Sequence, residues 1–139
     1  MTPRGCTFCG IVDGSIPASI VYRDPHAVAF LDARPVFKGH VLVVPTAHFA
    51  TLPDLPAEAI APYFTVVQRV ARALPVALAA DGTFVAENNV ISQSVPHLHF
   101  HIVPRKKGDG LRGFFWPRVR YQDDGERDDY AGRIAAALA

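Results

Sequence analysis

Residues 96–104 read Pro-His-Leu-His-Phe-His-Ile-Val-Pro, and no other stretch limits the fold so strongly. Side chains of an extended strand alternate between its two faces. His97, His99 and His101 therefore share one face, each about 6.5–7 Å from the next at ~3.3 Å rise per residue. Leu98, Phe100 and Ile102 point the other way. A strand is expected over 97–103, with one face packed in a core and the other carrying imidazoles. Three of the six histidines stand in this row, and burying them without partners would cost on the order of several kcal/mol. A chemical role follows more readily than a structural one.

The flanking pattern supplies the rest of a sheet. Residues 21–23 and 28–32 are apolar runs split by Asp24-Pro25, a turn signal, and read as a hairpin. Residues 41–44, Val-Leu-Val-Val, follow Gly39 and stop at Pro45, as a strand buried on both faces would. Over 58–74, Ile60, Phe64, Val67, Ala71 and Leu74 recur at steps of three and four, which predicts an amphipathic helix that Pro75 ends or kinks. Asp81-Gly82 turns the chain into a short strand over 83–87, and 130–138 reads as a short terminal helix. The expected fold is α+β, an antiparallel sheet of about five strands with one long helix packed on it. It forms a single domain over 1–139, with 105–139 a C-terminal extension.

Composition narrows the ligand. With 139 residues, 50% hydrophobic and 19% charged, the chain can bury one core. A net charge of +1 gives no global field for a long polyanion or a membrane surface. A small phosphorylated molecule held by local groups is the better fit. No apolar run reaches the ~18 residues of a membrane span, and residues 1–6 lack the apolar stretch of a secretory signal. Cys6 and Cys9 close too small a loop for a useful disulfide, so the expected compartment is the reducing cytoplasm, where such a pair binds metal or does redox chemistry. Three-histidine zinc catalysis is an alternative for the row, although a strand spaces its rings widely for one ion ~2.0–2.1 Å from each nitrogen.

The row 97–103 resembles the signature of the histidine-triad (HIT) family, His-φ-His-φ-His-φ-φ with φ apolar. Phe8-Cys9-Gly10-Ile11-Val12, Ala29-Phe30-Leu31-Asp32, Gly39-His40 through Pro45 with His48, Asn88-Asn89 and Gln93-Ser94-Val95 resemble its other blocks in order. The resemblance implies a HIT-like fold and a nucleotide hydrolase or nucleotidyltransferase. His99 would attack an α-phosphate to form a nucleotidyl-histidine, with His101 and Ser94 as further catalytic groups. Asp32 would accept from the ribose hydroxyls, Asn88, Asn89 and Gln93 would serve the phosphate, and Phe8, Ile11 and Phe30 would form the base slot. His40 would support the triad; each of these residues also has a plain reading as turn, cap or core. The resemblance further implies a structural zinc on Cys6, Cys9, His48 and His97, and a homodimer.

Two segments depart from the family pattern. The loop 88–93 is about two residues short, with Ser92 in place of a glycine. The tail from Arg105 to Arg120 mixes basic residues with Phe114-Phe115-Trp116, which suits a lid or subunit contact better than nucleic-acid binding. Hydrolysis of a purine nucleoside phosphoramidate is the leading expectation. A dinucleoside polyphosphate hydrolase such as one for diadenosine tetraphosphate, and a nucleotide-binding interaction protein with negligible turnover, are the alternatives.

Overall fold

The computed structural model describes residues 3–112 and 118–138, and the chain divides into two units, Met1–Asp109 and Gly110–Ala139. The first runs α1 (Thr7–Asp13), β1 (Ile20–Arg23), β2 (Ala27–Leu31), β3 (Val41–Pro45), a 3₁₀ turn at Leu52–Asp54, α2 (Ala57–Leu78), β4 (Gly82–Ala86) and β5 (Phe100–Arg105). The strands form one antiparallel sheet in the order β1-β2-β3-β5-β4. This is the α+β, five-stranded architecture that the hydrophobic pattern implies. Asp24 closes the first hairpin, its Oδ1 accepting from His26 N at 2.7 Å and Ala27 N at 2.8 Å, as aspartates do in turns.

The two central strands are covered on both faces. Ala27, Ala29, Val41 and Val43 join Leu98, Ile102 and the buried side of α2 in one cluster. Their alternates Val28, Phe30, Leu42 and Val44 pack against Phe8 and Ile11 of α1 in another. Helix α1 was not foreseen, because seven residues are too few to display a period. It matters most for the site, since it walls the face opposite α2.

Three expectations are corrected. In α2 the buried residues are Tyr63, Val66, Val67, Val70 and Leu74, with Phe64 and Ala71 of the expected face packed on the same cluster, while Ile60 is 46% exposed. The face is the expected one turned toward Tyr63, whose hydroxyl donates to Val43 O at 2.8 Å. Pro75 does not end the helix, which continues to Leu78 and stops at Ala79 with φ 52°. Leu78 packs over Gly39, and that contact offsets the one hydrogen bond a proline removes. Finally, β5 starts at Phe100 rather than His97 and passes Pro104 to Arg105.

The late start of β5 has a local cause. The β3–β5 register pairs Val43 with Phe100, and its continuation would set Leu98 opposite Pro45, which has no N–H to give. Leu98 N instead donates to Phe49 O at 2.7 Å. The alternation nonetheless holds through 97–102: Leu98 and Ile102 are buried in the α2 cluster with Phe100 packed on it, and the imidazoles lie on the other side.

The second unit holds α3 (Asp124–Leu138), which begins before residue 130 because acidic residues favour a helix N-terminus; Asp123 Oδ1 accepts from Glu126 N at 2.8 Å. None of its residues is buried. Phe114, Phe115 and Trp116, expected as a lid or contact, lie outside the described residues. Among the described residues, no helix is long and apolar enough to cross a membrane.

Candidate active site and metal-binding group

Each histidine of the row has a proton assignment fixed by what it faces. The Nδ1 of His99 lies 2.7 Å from the carbonyl oxygen of His97. A carbonyl only accepts, so Nδ1 carries the proton and Nε2 keeps its lone pair. Burial holds the ring below its ordinary pKa, with the His97 carbonyl opposing that shift. The ring is therefore a neutral imidazole with one nucleophilic nitrogen.

His101 is set from behind. The backbone N–H of Val36 donates to His40 Nδ1 at 3.1 Å, so His40 bears its proton on Nε2 and gives it to His101 Nδ1 at 3.0 Å. His101 then carries its own proton on Nε2. Burial pushes its pKa down to about 4, helped by His99 and His40, and burial likewise lowers His40 against the pull of Asp32. A donor thus stands beside an acceptor, with the His99 and His101 ring centres 5.0 Å apart.

These rings open on a cavity of about 550 Å³, within the size range of small-molecule sites. Phe8, Ile11, Phe30, Asp32 and Ser94 line it together with His99 and His101. Phe8 meets Phe30 edge-on at 5.4 Å and His99 at 5.0 Å, so the apolar wall and the imidazole brace each other. Asp32 Oδ1 accepts from Arg34 N at 2.9 Å, while Oδ2 stands 3.7 Å from His40 Nδ1. His40 itself is 3% exposed and sits behind the wall.

The amides of the 88–93 loop point elsewhere. Asn89 Oδ1 accepts from Leu52 N at 2.9 Å, Gln93 bridges Val90 N at 3.0 Å and Ala50 O at 2.6 Å, and Asn88 Nδ2 donates to Ser92 O at 3.3 Å. These side chains hold the loop's shape, and none of the three lines the cavity. Ser92, where the family has glycine, takes φ 60°, and Val90 takes φ 69°, a region that suits glycine. Thr7 and Arg34 do line the cavity but were not singled out. Arg34 follows Asp32 by two residues, and that proximity was the available signal.

A second group lies at the start of the row. Cys6, Cys9, His48 and His97 offer ligand atoms that all lie within 4.8 Å of one another. His97 is fully buried, and its Nε2 donates to Pro45 O at 2.9 Å, which leaves Nδ1 to face the others. That atom is 3.5 Å from both thiol sulfurs and 3.2 Å from His48 Nδ1, and Cys9 Sγ is 3.3 Å from His48 Nδ1. Ligands at ~2.0–2.3 Å around a tetrahedral ion sit roughly 3.3–3.8 Å apart, so the spacing fits a metal ion. Burial and Cys6 push the Cys9 thiol up to about 11, a shift that a bound cation would reverse.

With this geometry established, comparison with known proteins is decisive. The HIT domain model matches residues 13–108. The chain belongs to the HIT family. A solved HIT-family structure from Bacillus subtilis superposes with a TM-score of 0.88 at 36% identity, covering 98% of this chain and 99% of that one. A zinc-bound histidine-triad protein from Mycobacterium smegmatis gives 0.73 at 37% identity, over 96% and 97% of the two chains. An adenosine 5'-monophosphoramidase from Schizosaccharomyces pombe is 36% identical over 81% of this chain and 83% of its own. The match includes His48 and the whole histidine row, and Cys6 and Cys9 lie just before it.

Proposed function

We propose that this HIT protein is a hydrolase of nucleoside-monophosphate conjugates, with a purine nucleoside phosphoramidate as its favoured substrate. The observation that carries this reading is the tautomer of His99, whose Nδ1–H is spent on the His97 carbonyl at 2.7 Å, leaving Nε2 to the cavity. The relative named as an adenosine 5'-monophosphoramidase supports the substrate class.

In the first displacement His99 Nε2 bonds to the α-phosphorus as the bond to the leaving atom breaks. That atom takes a proton from a water, relayed through the Ser94 hydroxyl, while His101 keeps its Nε2–H and donates it as a hydrogen bond to a phosphate oxygen. The oxygen of that water then bonds to phosphorus as the bond to His99 Nε2 breaks, which releases the monophosphate and returns His99 to its starting form. Asp32 accepts from the ribose hydroxyls, and Phe8, Ile11 and Phe30 hold the base. His40 is a positioning residue for His101. Asn88, Asn89 and Gln93 serve the phosphate through the backbone of the loop they brace.

Zinc is the metal proposed for Cys6, Cys9, His48 and His97. Two thiolates and two imidazoles make a closed, structural set, and His97 is thereby anchored next to the nucleophile. In a reducing cytoplasm both thiols stay available for the ion. The second unit adds an exposed face of Tyr130, Ile134 and Leu138 on α3, spaced to share one side of the helix. We assign it, with the 105–139 extension, to the contact of a homodimer.

The test is His99→Ala. Turnover of adenosine phosphoramidate should fall at least about 10³-fold, with AMP binding retained by calorimetry. Mass spectrometry of quenched wild-type enzyme should find a nucleotidyl adduct on His99. An active His99→Ala variant sinks the reading, and wild-type protein that binds AMP without turnover points to the interaction-protein alternative.

A further inference from the structure

A cavity of about 440 Å³ lies against the turn at Gly39 and shares no lining residue with the one that the histidines face. Phe37, Leu78 and Pro104 give it apolar walls, and Lys38, Lys106 and Asp109 complete the lining. Leu78 and Pro104 are also the side chains nearest to where a Cβ on Gly39 would stand, so the cavity abuts that turn from behind.

Its charges are unequal. The carboxylate of Asp109 is already engaged: Arg105 donates to its two oxygens at 2.6 and 3.0 Å, and Lys106 N donates to Oδ2 at 3.0 Å. The side chains of Lys38 and Lys106 make no ion pair or hydrogen bond with a described residue. Two ammonium groups over apolar walls are complementary to a ligand with an apolar body and an anionic head.

The same turn holds His40. Its N–H donates to Phe37 O at 3.0 Å, and its Nδ1 accepts from Val36 N at 3.1 Å. Residues 36 and 37 thus fix where His40 points, and Phe37 is itself a wall of the cavity.

We infer that this cavity binds a small amphiphilic carboxylate, its acyl chain on Phe37, Leu78 and Pro104 and its head held by Lys38 and Lys106, and that the occupant acts on His101 through His40. The site is independent of the hydrolase reading, because its occupancy is measured without turnover.

Calorimetry of the full chain with decanoate should show one saturable site. Octanoate should bind about tenfold more weakly, since two fewer methylenes are buried. Reversing both exposed charges (Lys38→Glu with Lys106→Glu) should weaken decanoate about tenfold or more, whereas Lys38→Arg with Lys106→Arg should keep it within about threefold. Wild type without saturable binding below about 1 mM overturns the inference, as does equal affinity in the charge-reversed variant. Decanoate should bind equally well in protein saturated with AMP, and competition between the two overturns the site; if AMP itself does not bind, the charge-reversed variant decides. Histidine nitrogen NMR spectra should show the His40 and His101 rings responding to decanoate. Resonances that stay fixed at saturation overturn the link to His101.

Discussion

His101 is held neutral by burial, and its tautomer is set by a line of protons that starts at a backbone amide. Val36 N–H, His40 and His101 hand donors outward in one direction, so protonating either ring from the wrong side breaks the line. Because the folded pKa of His101 is about 4 against an ordinary 6.5, the unfolded chain binds a proton between those values that the folded chain does not. The His101 contribution to stability is therefore flat above about pH 7 and declines as pH drops from 6.5 toward 4. Thermal melts at stepped pH should show this decline, and His101→Gln should make it shallower; an unchanged slope would remove His101 from the account. The row of histidines was legible because alternation is visible in letters. Its backbone partners, Pro45 O, His97 O and Val36 N, were not, since a carbonyl or amide has no residue type. The directions of Asn89 and Gln93 were equally hidden, because an amide side chain suits a ligand and a loop brace alike.

The elements were read best where burial enforces one period. Strand β3 emerged almost to the residue, and β2 and β4 each came out shifted by one, 27–31 in place of 28–32 and 82–86 in place of 83–87. In α2 the expected face was the right one but off-centre, with Tyr63, Val66 and Val70 added to it. The turn into β3 is the most demanding local feature: Gly39 has φ 97°, and a Cβ there would collide with Leu78 Cδ1. Gly39→Ala puts an alanine in a left-handed backbone and makes the Leu78 side chain swing aside, so it should destabilise by about 1–2 kcal/mol. Denaturant unfolding would measure it, and a loss under about 0.5 kcal/mol would mean that the turn relaxes freely. His40 is the next residue, so the same substitution should also lower kcat.

Protein purified without chelator should carry one zinc per chain by elemental analysis. Its removal should lower Tm by about 5 °C or more, and a metal-free protein of equal Tm would leave the four donors without a structural task. Light scattering should return twice the chain mass, with Ile134→Glu shifting it toward one; a wild-type monomer overturns the dimer. Fold class and family were readable at this scale because they rest on order and spacing, whereas the division at Asp109 left no break in the hydrophobic pattern. The four donors reach further than their own coordination. Cys9 belongs to the same seven-residue helix as Phe8 and Ile11, so slackening at the sulfur end would travel two turns at most before reaching the wall where a purine would lie. Starving this protein of its ion should therefore blunt its grip on nucleotides before it unfolds the sheet.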